Sequence, residues 1–182
     1  MPKKLNARLA HLMAVTLLLG SAGGTMIATV PTVSAAKVNT SQIKLDEQVA
    51  VKKFNQKYAN AKVEEITLES HFKKYRYEIT GFDNSKEYTV EINAKTGKIL
   101  KSESERLDKN DQNTALDLSK LISRKKATKA AEKAAKKGQA QEWTLESENG
   151  QAIWEITVVN GRQKVDVKVN ANNGNVLNVE QD

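Results

Sequence analysis

Hydrophobic residues along this chain recur in two rhythms, and the same succession of rhythms occurs twice. Ala50, Phe54, Tyr58 and Ala61 fall three or four residues apart, the spacing that gathers side chains on one face of a helix. Ala127, Ala131, Ala134 and Gly138 echo them with a thinner apolar face. Asp46 and Ser123 stand just ahead of these stretches, and each offers a side-chain oxygen to the free amides of a first helical turn. Gly138 is the expected left-handed stop of the second helix.

After each helix the rhythm changes to strict alternation, the mark of a strand with one buried face. The inward set of the first copy is Ile66 and Leu68, then Tyr75, Tyr77 and Ile79, then Tyr88, Val90 and Ile92. The second copy gives Trp143 and Leu145, then Ala152, Trp154 and Ile156, then Val165, Val167 and Val169. Thr67, Glu69, Arg76, Glu78, Thr89 and Glu91 point the other way, which predicts an antiparallel sheet with a helix on one face and water on the other. Each copy ends in a turn, Asn93-Ala94-Lys95-Thr96-Gly97 or Asn170-Ala171-Asn172-Asn173-Gly174. The Asn can bond the backbone two residues on, and the Gly supplies positive φ, so each turn closes a hairpin onto a short last strand, Lys98 to Lys101 or Asn175 to Val179.

Residues 50–105 match residues 127–182 at a constant offset of 77 without a gap, with sixteen of 56 positions identical. That register indicates duplication of one folding unit, in too few copies for a solenoid. The expected class is α+β: two tandem modules, each one helix packed on a small antiparallel sheet of three to four strands. Their expected bounds are 45–105 and 118–182, with a lead segment at 36–44 and a linker at 106–117. The polar stretch from about Ser102 to Thr114 should be exposed and mobile. A unit of about 60 residues is marginal alone, so the two copies are expected to touch.

The first residues, Met1 to Arg8, are basic and free of acids, and an apolar run follows from Leu9 to Gly20. This is the layout of a signal peptide over residues 1–35, with the cut after Val33-Ser34-Ala35, between Ala35 and Ala36. The alternative is an uncleaved anchor, since residues 9–30 approach the roughly 20 needed to span a bilayer; only then is membrane contact expected. Losing residues 1–35 removes three basic residues and no acid, so the formal charge falls from +7 to +4. That excess favours weak attraction to anionic surfaces and falls short of a nucleic-acid footprint. The chain has no cysteine, which excludes disulfides, thiolate metal sites and a cysteine nucleophile.

The helix, three strands and closing Asn-x-x-x-Gly-x-Ile/Val hairpin resemble the PepSY domain. Ile122-Ser123-Arg124-Lys125-Lys126-Ala127 and Val169-Asn170-Ala171-Asn172-Asn173-Gly174-Asn175-Val176 carry the resemblance, which covers about residues 43–105 and 118–182. The family usually has Asp where Asn93 and Asn170 stand. PepSY modules occur in propeptides of thermolysin-like secreted metallopeptidases and in bacterial envelope proteins, and are proposed to inhibit or modulate peptidases. The resemblance implies a protein acting in trans on a secreted peptidase, since no peptidase domain follows here.

Catalytic chemistry is not legible. Beyond residue 35 the only histidine is His71, whose counterpart is Glu148, and there is no metal-ligand spacing and no cofactor motif. Thr96-Gly97-Lys98 lacks the earlier glycine of a phosphate loop. Glu69, Glu78, Glu91, Glu146 and Glu155 alternate outward and are expected to be solvated, while Trp143 and Trp154 are expected in the core. Two surfaces remain as candidates. The first is the pair of hairpin turns, Asn93, Lys95 and Gly97 with Asn170, Asn172 and Gly174, for a partner protein. The second is a basic face of the second helix, Lys126, Lys129, Lys133, Lys136 and Lys137, for an anionic cell-wall polymer. The reading is an exported, non-enzymatic binding protein without cofactors, secreted or wall-associated.

Overall fold

The computed structural model describes residues 39–107 and 113–181. The expected cleavage point at Ala35 and Ala36 lies outside them. A 3-10 turn at Thr40–Gln42 leads into α1 (Glu47–Lys57), followed by β1 (Lys62–His71), β2 (Lys74–Phe82), β3 (Lys86–Asn93) and β4 (Ile99–Arg106). The second copy repeats this as α2 (Arg124–Ala135), β5 (Gln139–Glu148), β6 (Gln151–Asn160), β7 (Gln163–Asn170) and β8 (Val176–Gln181).

The expected pair of separate small sheets is replaced by one. All eight strands join in a single antiparallel sheet in the order β4-β3-β2-β1-β5-β6-β7-β8. The seam is the pairing of β1 with β5, where Ile66 faces Leu145, Thr67 faces Thr144 and Leu68 faces Trp143. With an offset of 77, Thr67 therefore pairs with its own counterpart, and a local two-fold axis passes between them. Alternation along a strand specifies its faces and is silent about which edge it offers to a neighbour, so periodicity alone did not reveal the fusion.

Both helices lie against the inward face, where one core spans the two copies and every member of each inward set except Tyr88 and Ala152 is buried. Trp143 and Trp154 are among them, and their indole N–H groups donate to Thr128 Oγ1 at 2.8 Å and to the Ile122 carbonyl at 3.1 Å. Tyr77 likewise donates to the Leu45 carbonyl at 2.8 Å. Each such ring contributes about 1.5–3 kcal/mol of burial while keeping its polar atom satisfied.

The copies solve the helix-to-sheet gap with opposite distributions of volume. In the first, Phe54 reaches the sheet where Gly81 leaves room; a Cβ on Gly81 would lie 2.8 Å from Phe54 Cζ and 2.5 Å from the Lys62 carbonyl oxygen. In the second, the counterparts are Ala131 and Val158, both fully buried.

Three local expectations are corrected. Asp46 makes no side-chain bond to the α1 amides, and pairs instead with Lys125 at 2.9 Å. Helix α2 ends at Ala135, where Lys136 takes a positive φ of +65° and the Lys137 amide donates back to the Ala135 carbonyl at 2.7 Å, so Gly138 is not its stop. Strand β4 continues to Arg106, so the polar stretch from Ser102 begins as strand; further on, the Leu116 amide donates to the Val63 carbonyl and Leu116 and Leu118 pack on the core.

Candidate functional site

The two hairpin turns are held by their own asparagines. Asn93 Oδ1 accepts from the amides of Lys95 and Thr96 at 3.0 and 2.9 Å, and Asn170 Oδ1 accepts from Asn172 and Asn173 at 2.8 and 3.2 Å. Gly97 and Gly174 have φ of +72° and +87°, as their places in the turn require. These four residues serve the backbone, which leaves the exposed Lys95 and Asn172 as what the turns present to a partner. Because the two-fold relation at the seam reverses strand direction, the turns sit at opposite ends of the sheet and form no common site.

The basic patch on α2 is shorter than expected. Lys126, Lys129 and Lys133 are exposed on the helix, whereas Lys136 and Lys137 lie past its end. None of the five is in an ion pair among the described residues. Glu132 is turned inward, its carboxylate accepting from the Ala140 amide at 3.0 Å.

The open face of the sheet is less hydrated than alternation suggested. Arg76 binds Glu69 and Glu91 at 2.9 Å each, and Lys168 binds Glu148 at 2.9 Å. Glu78, Glu146 and Glu155 are half-buried. Burial, reinforced by Glu65, Glu155 and Glu148, pushes the Glu146 carboxyl up to about 7. Burial and Glu91 raise Glu78, and burial raises Glu155 against the opposing pull of Lys168. Continuing the seam's register would set Glu65 opposite Glu146 and Glu69 opposite Glu142. The ladder stops after three pairs, where those like charges would begin to face one another. Among the described residues no group of His, Cys, Asp and Glu is arranged to hold a metal ion. The depression near Asp83 is lined by Asn60, Lys62, Phe82, Asn84 and Ser85, and Asp83 is committed there: hydrogen bonds from Tyr88 and the amides of Ser85 and Lys86 hold its carboxyl down at about 2. Burial pushes Tyr75 and Tyr77 up to about 12.

On the helix side of the seam, Glu47 and Arg124 meet, each again the other's counterpart. Glu47 accepts from the Arg124 amide at 3.0 Å, capping the first turn of α2 across the module boundary. Both residues are buried, and the Arg124 guanidinium lies 5.0 Å from the Trp143 ring centre.

One exposed feature was missed. The β1–β2 hairpin turns through Phe72 and Lys73 at φ +47° and +63°, and Phe72 is 87% exposed. The matching turn in the second copy is Asn149-Gly150, at φ +53° and +79°, the residue pair that such a tight turn favours. Hydrophobic periodicity says nothing about a two-residue turn; setting His71-Phe72-Lys73-Lys74 against Glu148-Asn149-Gly150-Gln151 is the signal that finds it.

The sequence model described as "Peptidase propeptide and YPEB domain" (PepSY) matches residues 44–103 and again 121–180. No curated protein matches the chain in sequence. Among solved structures, a candidate lipoprotein of Clostridium difficile is similar, with 29% identity and a TM-score of 0.71 over 77% of this chain and 95% of that one. The YpmB protein from Bacillus subtilis covers 75% of this chain and 97% of its own at 19% identity, but its TM-score of 0.36 is too low to support a comparison of folds.

Proposed function

The chain belongs to the PepSY family, and we propose that it is an exported, non-enzymatic binding protein that modulates extracellular peptidases. The observation that carries this reading is the double match to a module found in peptidase propeptides. The fold supports it physically. Strands β4 and β8 are the free edges of the eight-stranded sheet, and an extended segment of an enzyme can pair with such an edge through main-chain hydrogen bonds. Both edges open with an exposed apolar pair, Ile99-Leu100 in β4 and Val176-Leu177 in β8, and they differ beyond it: β4 continues with Lys101, Glu103, Glu105 and Arg106, whereas β8 adds the exposed Val179 beside one acid, Glu180. Charge on an edge discourages pairing, so β8 is the edge we assign to a partner. The test is to assay several secreted metallopeptidases with the chain from residue 36 onward. Slowed turnover that is relieved by Leu177→Lys supports the reading, and unchanged rates at micromolar protein reject it.

A second reading is attachment to the cell envelope by charge, favoured by the unpaired, exposed Lys126, Lys129 and Lys133 of α2. It predicts retention on isolated walls that falls steeply with salt and disappears when these lysines become glutamine.

A further inference from the structure

We propose that the Phe72 end of the first module is a docking tip for anionic lipid bilayers. Every other Phe, Tyr and Trp is buried or half-buried, so the exposed Phe72 ring is an exception. Its backbone holds a conformation that neither Phe nor Lys favours, with the His71 ring packed edge-on at 4.3 Å. A turn that keeps unfavourable residues where its sister keeps Asn-Gly is retaining them for what they display.

The surroundings of the ring specify the partner. The Ala94 amide donates to the Tyr75 carbonyl at 3.0 Å, which brings the Asn93 to Gly97 turn to the same end of the sheet, and the Lys44 amide donates to the Ala94 carbonyl at 2.9 Å. Lys44, Lys73, Lys74, Lys95 and Lys98 are therefore gathered there, all exposed and none in an ion pair among the described residues. Their counterparts in the second module are Leu121, Gly150, Gln151, Asn172 and Asn175. Since the two copies share one fold, the fold does not need these charges. An exposed phenyl ring on a turn that shares its end of the sheet with five exposed lysines on flexible stems matches a headgroup region: the ring enters the acyl boundary and the lysines meet phosphates. Gln42 Nε2 donates to the Lys73 carbonyl at 3.5 Å, so the 3-10 turn ahead of α1 lies beside this tip.

The test uses the chain from residue 36 onward, which carries every buried core residue among the described residues, since these run from Ala50 to Ala171. Sedimentation with phosphatidylcholine vesicles, with and without phosphatidylglycerol, should show binding only when the anionic lipid is present, weakening with salt. Phe72→Ala should reduce it about tenfold, and Lys73→Gln or Lys74→Gln about fivefold each. Phe72→Asn with Lys73→Gly installs the sister turn, so it should fold at least as well by thermal midpoint and yet lose vesicle binding. Phe72→Trp should shift its emission to the blue on anionic vesicles. The proposal is overturned if the sister-turn variant binds like the wild type, if the tryptophan reporter does not shift, or if binding follows Lys126, Lys129 and Lys133 instead. Capture by soluble polyphosphate without capture by vesicles also overturns it. Peptidase modulation is a separate property, and its presence or absence leaves these outcomes unchanged.

Discussion

The hydroxyls of Thr67 and Thr144 lie 3.3 Å apart across the centre of the sheet, and each residue is the duplicate of the other. On the opposite side of the sheet Glu47 and Arg124, a second pair of duplicates, are in contact at the helix starts. The two copies therefore meet as the halves of a symmetric dimer do, each using the same patch against its equal. Along the open face the central threonines are flanked by glutamates on both strands, which puts repulsion beside the axis.

Burial of these carboxyls, reinforced by that repulsion, makes stability depend on pH in a definite direction. Glu146 has a folded pKa of about 7 against 4.5 for an unperturbed carboxyl. The folded state then holds its proton more tightly than the unfolded state, so the penalty is absent at low pH and grows as pH rises through this window. Glu78 and Glu155 shift in the same direction. Thermal midpoints should rise as pH falls from about 7 toward 4.5. Glu146→Gln should add on the order of 1–2 kcal/mol above neutrality, less than the full linkage because the carboxylate is partly solvated. A midpoint that falls steadily over that interval would contradict the assignment.

The pairing of Glu47 with Arg124 is buried, so removing one partner should cost more than removing both. Glu47→Ala strands a guanidinium and an N-terminal amide, for an expected loss of about 3 kcal/mol in urea unfolding. Adding Arg124→Met should recover part of it, and the double-mutant cycle reads the coupling between modules directly.

Backbone strain at the first hairpin is also measurable. Phe72→Asn with Lys73→Gly should stabilise by about 1–2 kcal/mol. The reciprocal change, Asn149→Phe with Gly150→Lys, should destabilise by a similar amount. Equal midpoints for all three proteins would show that the turns are not strained differently.

The exchange of volume between Phe54/Gly81 and Ala131/Val158 predicts a rescue. Gly81→Val alone drives atoms into the Lys62 carbonyl and the Phe54 ring, and Phe54→Ala alone leaves a cavity worth about 3–5 kcal/mol. Together they clear the ring and fill its cavity while the contact with the Lys62 carbonyl stays, so the double variant should unfold at a higher urea concentration than Gly81→Val alone.

Most of the architecture was legible from periodicity because burial dictates it. The inward phases of Ile66 to Ile92 and Trp143 to Val169 are those of the sheet, and the constant offset identified the repeat. What periodicity could not show depends on tertiary partners. An outward glutamate such as Glu146 reads as solvated until a second strand crowds it, and Asp46 reads as a cap until Lys125 competes for it. Ser102 to Arg106 read as linker because an exposed edge strand has no buried face to impose alternation. Phe72 stayed hidden because a single residue has no period.

Two identical separate subunits joined as these halves are would display the same chemistry at both extremities. Fusing them into one polypeptide lifts that constraint, since each half mutates independently while the junction keeps both folded. The lysine-and-phenylalanine end and the asparagine-rich end are what this freedom has produced: a pseudosymmetric body with a front and a back.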